Sequence, residues 1–160
     1  MLVNNIDLQN AGTQFIFTTL WSTIGLNQTD KILSRITDFK YIKHGVGNLT
    51  IEQYNLLHIH CKTFLKETVQ KPFDGDRIIA THHVPTLKNY PGKYLKSGLQ
   101  EAFAIEMEDF IVEMTNQNVH CPYWIYGHHH YNVPDYTISN TTFTTNQMVK
   151  GFSSDKTIIL

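Results

Sequence analysis

Asp76-Arg77-Ile78-Ile79-Ala80-Thr81 runs straight into His82-His83-Val84-Pro85, and Pro122-Tyr123-Trp124-Ile125-Tyr126-Gly127 runs into His128-His129-His130. Each is a short apolar run bounded by turn residues, the pattern of a strand buried in a sheet. Each also delivers its histidines at the carboxyl end of the strand, where open α/β sheets place their ligands. A core histidine ordinarily stands alone with one hydrogen-bond partner, whereas neighbouring imidazoles at loop starts can converge on a cation. Gly127 lets the backbone approach a metal or phosphate closely. On an extended backbone His128 and His130 face one side and His129 the other. His82, His128 and His130 are therefore the candidate metal ligands. His83 is the candidate catalytic group, binding phosphate or supplying a proton, with support of the turn as the alternative.

Working outward, Thr50 with Gln53 three residues on forms a capping box. Ile51, Tyr54, Leu57, Cys61, Phe64, Leu65 and Val69 then make the apolar stripe of a helix ending near Pro72. Leu99 to Asn116 has a second helical periodicity, with Phe103, Met107, Phe110, Ile111 and Met114 on one side. Asn4–Leu8 and Thr13–Leu20 read as a hairpin turning at Gly12, its second strand buried on both faces. Residues 21–48 read as a long excursion with at most one or two short helical turns, of the kind that covers a site. The tail alternates strand and turn through 136–138, 141–145 and 156–160, the last offering an exposed apolar edge at Ile158-Ile159-Leu160. Strands alternating with two main helices define an α/β fold with a mixed sheet.

The 160 residues suffice for one domain. With 41% apolar and 17% charged residues the composition is that of a folded chain, neither disordered nor fibrous. A net charge of −1 removes the broad basic footprint of a nucleic-acid binder, while leaving room for a local phosphate site. No apolar run reaches transmembrane length and no basic, then apolar, leader opens the chain, so a soluble, cytoplasmic protein without a membrane partner is expected. Cys61 and Cys121 lie too far apart for a zinc-knuckle or redox motif and read as reduced core thiols.

Thr81-His82-His83-Val84-Pro85 resembles the late His motif of calcineurin-like metallophosphoesterases, and Trp124-Ile125-Tyr126-Gly127-His128-His129-His130 resembles their Gly-His-x-His motif. Thr18-Thr19-Leu20-Trp21 resembles a Gly-Thr-x-Leu-Trp strand of one bacterial branch, with Thr18 at the glycine position. The segment from Ser139 to Asn146 resembles a later Gly-Thr strand of that branch, with Asn140 for the glycine and Gln147-Met148-Val149 for its Asn-Pro-x-Gly-Tyr ending. The resemblance spans nearly the whole chain. It implies that residues 1–160 form the C-terminal half of a four-layer αββα sandwich. It further implies that His82 and His128 bind one metal of a pair and His130 the other. Two such ions, about 3.5–4 Å apart, activate water and stabilise charge on phosphoryl oxygens. The substrates implied are phosphomonoesters or phosphodiesters, and the metals Mn, Fe, Zn, Ni or Mg, among which imidazole ligands do not choose.

The family's Asp-x-His, Gly-Asp and Gly-Asn-His motifs do not occur in these 160 residues. Asp74-Gly75-Asp76 is the nearest imitation, but it stands at the wrong end of the strand leading to His82 and reads as a turn. The expected partner is the missing N-terminal half, about a hundred residues that complete the sheet, or a second copy in self-association. Two functions follow as expectations: a metal-dependent phosphoesterase whose later ligands lie here, or a catalytically inactive structural or interaction module of the same fold.

Overall fold

Ile6–Asn10 (β1) and Thr13–Thr18 (β2) form an antiparallel hairpin with Asn10 opposite Thr13. Its turn residues Ala11 and Gly12 have φ of 47° and 79°, the positive pair of a type I′ turn, which glycine enters without strain. The computed structural model describes residues 4–148 and 152–158. After β2 come Thr29–Arg35 (α1), Asp38–Tyr41 (α2) and the paired short strands Lys43–His44 (β3) and Gly47–Asn48 (β4). Ile51–Gln70 (α3) leads to Asp76–Thr81 (β5), and Gly92–Leu95 (α4) and Glu108–Asn116 (α5) lead to Tyr123–Ile125 (β6). Tyr136–Ile138 (β7) and Thr141–Thr144 (β8) complete the six-stranded sheet.

Strand order is β1-β2-β5-β6-β8-β7. The four inner strands are parallel, and β1 and β7 run antiparallel at the edges. Parallel neighbours need crossovers, which α3 and α5 supply. The protein is thus α/β with a mixed sheet. The box expected at Thr50 is formed on both sides: Gln53 N donates to Thr50 Oγ1 and Thr50 N donates to Gln53 Oε1. Such a cap stabilises a helix by about 1 kcal/mol. Ile51, Tyr54, His58, Cys61, Leu65 and Val69 form the buried stripe of α3.

The two faces of the sheet differ. On one, Ile16, Ile79, Trp124 and Phe143 lie side by side across the inner strands, all fully buried in a core that also takes in Leu65, Val69, Phe110, Ile111 and Met114 of α3 and α5. The register puts two apolar rows on the other face, Leu8-Phe15-Ile78-Tyr123 and Ile6-Phe17-Ala80-Ile125. Leu8 is 54% exposed and Phe17 40%, while Ile6, Phe15, Ala80, Tyr123 and Ile125 are half-buried and Ile78, in the middle of its row, is buried. Burial of β2 on both faces is therefore corrected: Gln14, Ile16 and Thr18 are buried, but Phe15 and Phe17 look onto the open side.

Two further expectations change. Helix α5 begins only at Glu108, because residues 99–107 spend their backbone groups elsewhere. Gln100–Ala102 makes a single 3₁₀ turn. Phe103 O then accepts from Val84 N, while Ile105 N and Met107 N donate to Val84 O and Pro85 O. The segment after His83 thus gains a partner that helical periodicity alone does not anticipate. The excursion 21–48 is more ordered than expected. Ile24, Ile32, Ile36, Phe39 and Leu49 bury a second small core against Ile51 and Tyr54. Residues 156–158 form no strand, and Ile159 and Leu160 lie outside the described residues, as does Val149. Among the described residues, no helix is long and apolar enough to cross a membrane. Both cysteines are buried and unpaired, and burial pushes the Cys121 thiol up to about 12.

Candidate metal centre

Hydrogen bonding continues past the strand ends. His82 N and His83 N donate to Thr18 O (3.3 Å) and Thr19 O (3.0 Å), and Gly127 N donates to His82 O (3.2 Å). The carboxyl ends of β2, β5 and β6 are therefore locked side by side, which brings the two histidine clusters together. The ring centroid of His128 lies 4.4 Å from that of His82 and 4.3 Å from that of His83. His128 and His130 both have positive φ, 68° and 49°, so this turn is not the extended segment on which their shared orientation was argued. They nonetheless line the same two cavities, while His129 is 5% exposed and packs against Tyr90 and Tyr126. Positive φ is costly for such residues and recurs at Leu20, at the end of β2. A Cβ at Gly127 would make only ordinary contacts, 3.8 Å from Gln147 Oε1 and His82 O, so packing alone does not demand glycine there.

The two nitrogens of His128 differ. Nε2 lies 3.2 Å from the carbonyl oxygen of Ala102, which can only accept, so Nε2 carries the proton and Nδ1 the lone pair. Burial, then His82, lowers the His128 pKa to about 3, with the Ala102 carbonyl opposing them. The ring is neutral at physiological pH, oriented by a backbone carbonyl and left with one free lone pair. Metal-bound histidines have this arrangement. His82 and His130 are exposed at the rim, and burial, opposed by the charge of Asp38, lowers the pKa of His82.

His83 is placed differently. It is 1% exposed, Nδ1 lies 3.1 Å from Thr19 O and Nε2 lies 3.1 Å from the Tyr54 hydroxyl. That hydroxyl also reaches Ala102 O (3.0 Å) and Ser22 Oγ (2.7 Å). Both nitrogens of His83 are thus engaged by protein, and burial lowers its pKa well below the ordinary value. In this arrangement the ring supports His128 and has no open nitrogen for a substrate.

Asp38, at the start of α2, escaped sequence reasoning because it belongs to no motif. Phe39 packs on Tyr54 (ring centroids 5.4 Å apart), and Tyr54 holds His83, so α2 is seated against the cluster. Burial raises the Asp38 pKa and the proximity of His82 opposes the rise. Asp76 stands at the opposite end of β5, bonded to His120, about 20 Å of extended chain away from His82. Asp135 accepts from Thr144 Oγ1 and Lys156 Nζ and is a structural anchor.

Among the described residues, no three His, Cys, Asp or Glu side chains stand in an arrangement that would hold a metal ion. The donor chemistry fits a cation in part: two neutral imidazoles in contact, one with its lone pair free, and a third on the same cavity. A bridging carboxylate for a second ion is not among them.

Over 98% of its length the chain is similar to a protein of Acanthamoeba polyphaga mimivirus described as "Uncharacterized protein L509", with 28% identity over 170 aligned positions. The chain spans 56% of that relative's length. No family model matches the chain, and no solved structure matches it.

Proposed function

We propose that this chain carries the later, histidine-bearing half of a binuclear site in a calcineurin-like, metal-dependent phosphoesterase. His82 and His128 would hold one divalent ion and His130 the other, with His83 positioning His128 from behind. The ions, Mn, Fe, Zn, Ni or Mg, would supply an activated water and charge stabilisation at the phosphoryl group. The observation that carries this reading is the tether of His128 Nε2 to Ala102 O, which leaves the lone pair on Nδ1 of a ring whose centroid lies 4.4 Å from that of His82. The two faces of the sheet support the architecture. Helices cover one and an apolar surface remains on the other, as suits the inner face of a sheet-on-sheet sandwich. The carboxylate ligands would come from a complementary half, in the same polypeptide or another.

The test is to add a segment bearing the Asp-x-His, Gly-Asp and Gly-Asn-His motifs to this chain and measure Mn or Zn stoichiometry and phosphodiester hydrolysis together. Two ions per complex and metal-dependent turnover are expected. A well-formed complex that binds no metal would overturn the reading.

A second reading, a catalytically inactive module, is favoured by the lack of any three-ligand arrangement among the described residues. It is favoured too by Gln147, which bridges the histidine turn by accepting from His130 N (3.0 Å) and donating to Tyr131 O (3.1 Å). On that reading the cluster only ties strand ends together, and the assembled complex would stay metal-free.

A further inference from the structure

His128 and His130 form the shared wall of two cavities, one mixed in character and one strongly apolar. The mixed one, about 440 Å³, is lined by His82, Gly127, Gln147 and Met148 beside the shared pair. The other, about 380 Å³, is walled by Tyr90, Tyr94, Leu99 and Phe103, with Ser97 at its side. Its rings are ordered: Phe103 lies 4.7 Å from His128, Tyr90 stacks on His129 at 5.6 Å and 22°, and Tyr90 and Tyr94 are 6.3 Å apart. The hydroxyl of Ser97 is spent on Tyr94 O at 2.6 Å, and Lys93 sits over the Tyr94 and Tyr131 rings, 4.7 and 4.4 Å from their centroids. Among the described residues, no carboxylate lines this cavity. Flat aromatic walls without free charge favour an uncharged ring, which gains stacking energy beyond the area it buries.

Resting on the phosphoesterase reading, we infer that the substrate is a phosphate ester carrying an aromatic ring, aryl or nucleobase. Its phosphoryl group would face the histidines from the cavity that His82 and Gln147 line, and its ring would enter the cavity of Tyr90, Tyr94 and Phe103. The volume limits the part of the ester held inside this cavity to one or two fused rings. The common wall makes the two halves of the ester adjacent, so a single small molecule spans both cavities.

Calorimetry on the chain, with Zn or Mn and paired with its complementary half where needed, distinguishes the sources. Phenyl phosphate and adenosine monophosphate are compared with ribose 5-phosphate and glycerol phosphate, and adenosine and phenol are titrated without metal. The ring-bearing phosphates are expected to bind at least about tenfold more tightly than the ring-free ones. Preference for phenyl phosphate over the nucleotide would assign an aryl ester, and the reverse a nucleobase. Ser97→Trp, which fills the cavity, and Tyr94→Ala, which removes a wall, are each expected to bring ring-bearing affinity down toward the ring-free level. Circular dichroism checks that both variants fold. Equal affinity for ring-bearing and ring-free phosphates in the metal-loaded protein overturns the inference and leaves the phosphoesterase reading standing. Ring binding that responds to Ser97→Trp in a protein that takes up no metal supports the ring pocket and sinks the phosphoesterase reading instead.

Discussion

The imidazole of His128 donates from Nε2 to the main-chain oxygen of Ala102 across 3.2 Å, joining the end of β6 to the 3₁₀ turn before α5. This bond decides which nitrogen carries the proton and which the lone pair. Replacing His128 by Gln removes the oriented lone pair, and divalent cation affinity of the assembled protein is expected to fall at least about tenfold. Zinc or cobalt titration reads this directly. Unchanged affinity would place any bound cation away from the cluster.

The Tyr54 hydroxyl joins Ser22, His83 and Ala102 in a buried network. Tyr54→Phe keeps the ring packing on Trp21 and Phe39 but strands their polar atoms. Leaving buried partners unsatisfied costs roughly 1–3 kcal/mol. Urea unfolding should show a loss in that range with an unchanged denaturant slope. A neutral result would mean that water replaces the hydroxyl.

Much of this centre was legible in the sequence, because strand ends are local signals. The apolar runs before His82 and His128 predict both strands, and parallel pairing then brings the clusters together. The capping box at Thr50 is likewise local. What the sequence withheld depends on long-range contacts. Periodicity suggests helix from Leu99, but pairing with Val84 takes up the backbone through Met107. Asp38 lies 44 residues before His82 and approaches it only because Phe39 packs on Tyr54. The exposure of Phe17 follows from helices covering one face alone, which an apolar run cannot reveal.

Removing the charge of Asp38 should act on His82. That charge raises the His82 pKa against the lowering effect of burial. Asp38→Asn is thus expected to shift the His82 titration, followed by NMR, to still lower pH in the metal-free protein. The cluster also loses a carboxylate whose charge acts on it, so cation affinity should weaken. A His82 titration that does not move would remove Asp38 from the site.

Acidification should destabilise the metal-free chain. His58 and His83 are buried, and desolvation lowers both pKa values from the ordinary imidazole range, aided at His58 by Lys62 and at His83 by His128 and His82. In the unfolded chain both titrate near pH ~6.5. Below that value the unfolded state binds more protons than the folded state, so stability is fully present above it and is lost as pH falls toward the folded pKa values. Asp38, whose carboxyl is held above its ordinary value by burial, acts in the opposite direction. The urea midpoint should therefore be lower at about pH 5.5 than at about pH 7.5. A midpoint equal or higher at the acid value would contradict neutral burial of these rings.

The open side of the sheet makes the remaining prediction. Leu8 and Phe17 lie in adjacent rows of one apolar surface, while the opposite row from Ile16 to Phe143 is fully buried. Contiguous exposed apolar surface of this kind marks an interface. By itself the chain should self-associate at micromolar concentration and bind a hydrophobic dye. Because both side chains are already substantially exposed, Leu8→Lys with Phe17→Lys should leave the urea midpoint within roughly 1 kcal/mol of the parent. The same pair should abolish self-association and prevent docking of the complementary half. Sedimentation of parent and variant measures the first effect, and co-purification with the added half measures the second. A parent chain that stays monomeric and binds no dye would show that this face needs no partner, and the sandwich would lose its architectural support.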